Sequence, residues 1–243
     1  VDGSRWVFAK KTEPKYGAAA PFAGTWTGAF AGAWDEGVFG TTNELVTSFS
    51  AKLTAKGKAT VKVVLPDGKK LSCSAKAEVG TNDVVAVPVT VWRSVKGGYR
   101  SFGFRLVFAW DEDGNASCVA EDVSVVRDWM KKTGEILPAV SEPEFLDAGL
   151  PAVTAKAFKA YAVAVDPELE FLGPITKTSL KMASTGLVSG TLKWGKVSGK
   201  LSGAVIDGLG LGTVNVKVNG VTLRYEFTAE PADLDLPPIV TVK

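Results

Sequence analysis

Short runs in which apolar and polar residues alternate one for one, each closed by a glycine-containing turn, constrain this chain more than any other feature. In the run from Phe49 to Thr54, Phe49, Ala51 and Leu53 fall on one side and Ser50, Lys52 and Thr54 on the other. That period of two belongs to a half-buried antiparallel strand. Ala55-Lys56-Gly57 turns the chain into a second run that ends at Leu65. Pro66-Asp67-Gly68 follows, where proline fixes one dihedral and glycine supplies a positive one, and the next run sets Leu71, Cys73 and Ala75 on one face. Val84–Ser94 is a further strand, and its Pro88 marks an edge or a bulge because proline cannot donate to a ladder. Tyr99–Trp110 and Ala116–Ala120 come next, separated by Asp111-Glu112-Asp113-Gly114-Asn115. Near the end Val214, Val216 and Val218 alternate with Asn215, Lys217 and Asn219. Asn219-Gly220, the strongest two-residue hairpin signal in the chain, then hands over to the run beginning at Thr222.

The pattern weakens between about residues 122 and 161. Asp122–Glu135 spaces its apolar residues as one or two helical turns ending at Gly134 would, and Pro138, Pro143 and Pro151 follow in a loop-like stretch. On either side the segments echo each other: Ser50–Val63 aligns with Ser179–Leu192 when Gly57 is set on Gly186. The expectation is a single all-β domain over residues 1–243, an antiparallel barrel or sandwich of two related meander halves (about 22–121 and 162–243) with a short helical or irregular insert between them. Either terminal strand-like segment, Arg5–Lys10 or Ile239–Val242, could add to a neighbour's sheet or pair within its own chain.

The chain contains no histidine, the side chain most used as general base and metal ligand near neutrality. Most hydrolytic triads and zinc sites are excluded on that ground. The net charge of +2 comes from interspersed lysines and acids without a basic stripe, which argues against nucleic acid as a partner. No run approaches the roughly 20 apolar residues of a membrane helix. The strand runs are also short and lysine-bearing for the lipid-facing wall of a membrane barrel. Gly208-Leu-Gly-Leu-Gly212 is followed by strand alternation, whereas a phosphate cradle requires a helix there, so these glycines are assigned to close packing.

Four groups of residues are candidates for chemistry. Trp34, with Asp35 and Glu36 beside it in a glycine-bounded loop, is the candidate sugar platform, and the two acids are the pair to test for glycosidase activity. Asp111, Asp113 and Asn115 have the oxygen density that calcium favours but not the spacing of an EF-hand loop, and between two strands they read first as a hairpin turn. Cys73 and Cys118 are two buried thiols or, in an oxidising compartment, a disulfide. Of the seven tryptophans (6, 26, 34, 92, 110, 129 and 194) most belong in a core. No cofactor is implied.

The phrase from Phe49 to Lys69, with Gly24-Thr-Trp-Thr-Gly-Ala-Phe30 and Thr185-Gly-Leu-Val-Ser-Gly-Thr-Leu192, resembles the glycine-turn meanders of large secreted β-modules in bacterial surface proteins. The resemblance covers about a third of the chain and carries no functional residue with it. It implies a secreted or cell-surface location, with any leader removed before Val1, and a non-enzymatic structural or adhesion module that packs against copies of itself or other surface components. The alternatives are a carbohydrate-binding module using an exposed tryptophan and a carboxylate-based glycosidase.

Overall fold

The computed structural model describes residues 17–33, 39, 44–80, 84–96, 98–129, 133–137, 141–149, 156–158, 161–165, 172–206, 209–230 and 239–242. Among them the chain is nearly all strand, with one 3-10 turn at Ala20–Phe22. The first strands are β1 (Gly24–Ala33), β2 (Glu44–Leu53), β3 (Lys58–Val64), β4 (Lys70–Lys76) and β5 (Glu78–Val79). They are followed by β6 (Val85–Val95), β7 (Gly98–Trp110), β8 (Ala116–Trp129), β9 (Thr133–Leu137) and β10 (Ser141–Gly149). These ten form one sheet in the order β4-β3-β2-β1-β10-β8-β7-β6-β5, with β9 paired to β8. A second, eight-stranded sheet has the order β11-β13-β14-β15-β16-β17-β18-β12. Its members are β11 (Lys156–Phe158), β12 (Tyr161–Val165), β13 (Lys177–Met182), β14 (Leu187–Trp194), β15 (Val197–Ile206), β16 (Leu209–Val218), β17 (Val221–Glu230) and β18 (Ile239–Val242). Neighbours are antiparallel throughout, apart from the parallel pair of β12 and β18.

Each sheet curls around its own core. In the first, the alternate residues Phe49, Ala51, Leu53, Val61, Val63, Phe104, Leu106 and Phe108 point inward to meet Phe22, Trp26 and Phe30. In the second, Leu180, Leu192, Trp194, Leu201, Val214, Val216 and Phe227 fill the interior. The opposite faces then meet back to back along a seam of small side chains. Ala29, Ala31 and Val46 from β1 and β2 pack on Ala204 and Ile206 of β15, with Leu187 and Leu211 alongside. At the seam Val46 N donates to Thr213 Oγ1 at 3.2 Å, and Thr213 Oγ1 donates to Val46 O at 3.2 Å. Thr27 Oγ1 also donates to Thr185 O across it.

The middle of the chain differs from the sequence reading. Asp122–Trp129 is the second half of β8, not helical turns, and Ser141–Gly149 returns as β10 to pair with β1. The thirteen-residue β7 supplies the reason: it runs past Ala116–Ala120 and offers partners to a β-branched stretch, with Phe102 opposite Val125 and Ser101 opposite Val126. Where a helix was expected to begin, Asp122 has a positive φ of 53° and forms a bulge in β8 between the pairings of Arg105 and Gly103. The expected insert is thus divided between the sheets, with the end of β8, β9 and β10 in the first and β11 in the second.

The glycine turns fall where the sequence placed them. Thr54 N donates to Lys58 O and Gly57 N to Thr54 O, and the same pair of bonds recurs at Ala183–Leu187 with Gly186. It recurs again at Leu65–Lys69 and at Asp111–Asn115. All four glycines have positive φ. The likeness between the two halves is therefore carried by a turn that also closes two further hairpins. Asn219 and Gly220, at φ 49° and 86°, close β16 on β17 with Val218 opposite Val221. Pro88 lies just beyond the two residues of β6 that β5 pairs, an edge position of the kind proline requires. Ile239–Val242 pairs within its own chain, between β17 and β12.

Candidate functional site

Trp34, Asp35 and Glu36 lie outside the described residues, as does Arg5–Lys10. Among the tryptophans whose burial is described, two others reach solvent. Trp26 and Trp194 are buried, Trp26 donating from Nε1 to Phe22 O at 2.9 Å, whereas Trp92 is 54% and Trp110 50% exposed. Trp110 leans on Phe22, with ring centroids 5.3 Å apart, and so closes one end of the first core. Trp92 stands on the outer face of β6, where its cross-strand partner is Ser101. Tyr99, two residues from Ser101 on β7 and 45% exposed, shares that face. Sequence reasoning did not single out this Trp92–Tyr99 pair. The signal was available: Val87, Val89 and Val91 occupy the inner positions of β6, so Trp92 falls on the other face.

The turn acids are spent on their own loop. Asp111 Oδ1 accepts from Asp113 N at 3.0 Å and from Asn115 N at 2.7 Å, and all three residues are exposed. Among the described residues no group of three or more cysteine, aspartate or glutamate side chains converges to hold a metal ion. Asp122 Oδ2 pairs with Arg105 Nη1 at 3.2 Å on the surface.

Cys73 and Cys118 are both free thiols in the structure. Cys118 faces the first core opposite Phe108, and burial pushes its pKa well above the ordinary 9.0. Burial also raises Cys73, against a smaller lowering from a backbone hydrogen bond at Thr90. Both thiols therefore stay protonated near neutrality, which is poor ground for nucleophilic chemistry.

Charge gathers where the β3–β4 turn meets the second sheet. Arg93 pairs with Asp67, whose Oδ1 also accepts from Lys69 N at 3.1 Å. Arg224 of β17 donates to Phe39 O nearby. Burial lowers the pKa of the Arg224 guanidinium from its ordinary value, with Asp67 opposing that shift and Arg93 adding to it. Beside this cluster a groove of about 380 Å³ separates the turn from β14 and β15. Lys69 and Lys70 stand on one side of it, and Ser189, Thr191, Lys200 and Ser202 on the other. Asn215 bridges the two sheets by donating from Nδ2 to Pro66 O at 2.8 Å. Towards the groove the apolar side chains of the seam give way to Thr191, Lys200 and Asn215.

Comparison with known protein families, with curated proteins and with solved structures finds no match for this chain.

Proposed function

We propose that this protein is a non-catalytic structural module, secreted or displayed at a cell surface, that associates with further copies of itself. The observation that carries the reading is the outward-facing Trp92–Tyr99 pair on β6 and β7. Tryptophan and tyrosine dominate the buried centres of protein interfaces, because each removes a large rigid surface from water at small entropic cost. A two-fold arrangement lays this patch on its own image. The exposed Arg105 and Asp122 further along the same ribbon pair with each other, so they leave no net charge there to repel a second copy. The secreted setting follows from the resemblance of the glycine-turn meanders to bacterial surface modules.

The test is sedimentation velocity on the full chain across a wide concentration range, with a Trp92→Ser/Tyr99→Ser variant alongside. The wild type is expected to populate dimers or larger species and the variant to remain monomeric with an unchanged far-ultraviolet spectrum. A monomeric wild type at every concentration, or a variant that assembles as the wild type does, contradicts the proposal.

A further inference from the structure

The second sheet does not share the charge balance of the whole chain. Its four consecutive strands β13–β16 carry Lys177, Lys181, Lys193, Lys200 and Lys217 and contain neither aspartate nor glutamate. The net charge of the whole chain is only +2. Because Leu180, Val188, Leu192, Leu201, Val214 and Val216 take the inner positions, strand alternation turns all five lysines outward, and each is exposed.

The ladders set these residues in rows. Lys177 lies directly opposite Lys193, and Lys193 opposite Ser198. The next row is Ser179, Thr191, Lys200 and Asn215, and the third is Lys181, Ser189, Ser202 and Thr213. Like charges directly opposite in adjacent strands destabilise a sheet. The Lys177–Lys193 pair is thus a cost that a bound anion removes. Between the lysines the outward positions are hydroxyls and one amide.

This face runs into the groove beneath Lys69 and Lys70. Ser202 is 7% exposed there, and its Oγ has no hydrogen-bond partner. Asn215 spends Nδ2 on Pro66 O, while its Oδ1 is buried and unpartnered. Gly68 roofs this spot without a side chain: a Cβ there would lie 3.6 Å from Ser202 Oγ and 3.8 Å from Asn215 Nδ2.

We infer that the β13–β16 face and its groove bind an acidic polysaccharide. The lysines meet the anionic groups of the polymer, and Ser202 and Asn215 meet its hydroxyls. The amide oxygen decides between ligand classes. Asn215 Oδ1 only accepts, so its partner must donate. A sugar hydroxyl donates as well as accepts, whereas the oxygens of ionised phosphate or sulfate only accept. Lysines on rigid strands suit spaced point charges, while single-stranded nucleic acid relies on aromatic platforms for its bases. The aromatic side chain of β13–β16, Trp194, is buried. Glu226 on β17, opposite Thr213, bounds the face on that side. The site uses neither Trp92 nor Tyr99, so either reading can fail without the other.

The test measures binding of the full chain to polygalacturonate, neutral dextran, inorganic polyphosphate and single-stranded DNA at two salt concentrations. Polygalacturonate is expected to bind in a salt-sensitive manner and dextran not to bind. Lys193→Gln/Lys200→Gln is expected to weaken polygalacturonate at least tenfold. Ser202→Ala/Asn215→Leu is expected to weaken it severalfold while leaving polyphosphate binding unchanged. Polygalacturonate binding indifferent to the lysine changes overturns the proposal, as does failure to bind. Equal or tighter binding of DNA or polyphosphate assigns the face to another polyanion and overturns it too. The lysine variants change only exposed side chains, so they remain informative if the Ser202/Asn215 variant loses stability.

Discussion

The two sheets solve the problem of filling a curled interior in different ways. The first is filled by aromatic rings: Trp26 meets Phe108 edge-on at 5.4 Å, Phe30 meets Phe104 at 5.6 Å, and Phe49 meets Phe104 at 6.0 Å. The second sets mostly aliphatic side chains around Trp194 and Phe227 and brings backbone close to backbone. Gly203 sits opposite Gly212, and a Cβ on Gly212 would collide with the β15 backbone and with Phe227 Cε1 at 2.7 Å. The outer faces differ as well, aromatic on β6 and β7 and lysine with hydroxyl on β13–β16. Two sheets built from one turn type therefore present unlike outer surfaces.

The contrast is sharpest in the cores. Truncating Phe108 removes a ring that touches both Phe22 and Trp26. Phe108→Ala is expected to cost about 3–5 kcal/mol in denaturant unfolding. Gly212→Ala adds a single methyl group where there is no room and is expected to cost about 1–3 kcal/mol. If Phe108→Ala costs less than Gly212→Ala, the division into a ring-filled half and a close-backbone half is wrong.

A smaller effect separates the halves by pH. Both cysteines lie in the first sheet, and Cys118 is held protonated by burial above its ordinary 9.0. Below that value both folded and unfolded chains keep the thiol proton, so its contribution to stability is fully present. Above it the unfolded chain ionises first, and stability falls by up to about 1.4 kcal/mol per pH unit. Measured as the difference between wild type and Cys118→Ala, that slope is expected between pH 9 and 11 and not between pH 6 and 8. Parallel stability curves for the two proteins contradict the burial of Cys118.

The hairpins were legible because their causes are local. Gly57, Gly68, Gly114, Gly186 and Asn219-Gly220 set their turns by φ alone, and alternation set the inner face of each flanking strand. The continuation of β8 was hidden, since Val123, Val125 and Val126 fit a helical spacing as well as an extended one, and only the length of β7 decides between them. The lysine face was hidden for another reason. Whole-chain charge sums acids around 111–122 with lysines around 177–217, and only the ladders show that the lysines share one surface. The groove and seam join residues far apart in sequence, such as Val46 with Thr213 and Pro66 with Asn215, and no local pattern announces them. The Trp34, Asp35 and Glu36 site lies outside the described residues.

The groove between the sheets rests on the small-residue seam along which the two separately filled sheets pack. Native-state hydrogen exchange along a denaturant series tests this most directly, by comparing the slowest amides of β2 and β3 with those of β15 and β16. Coupled across Ala29, Ala31, Val46, Ala204 and Ile206, the two sets are expected to open with one free energy and one denaturant slope. Two sets that open independently, separated by more than about 2 kcal/mol, would show that the sheets are separate units and that the groove between them is not a fixed feature.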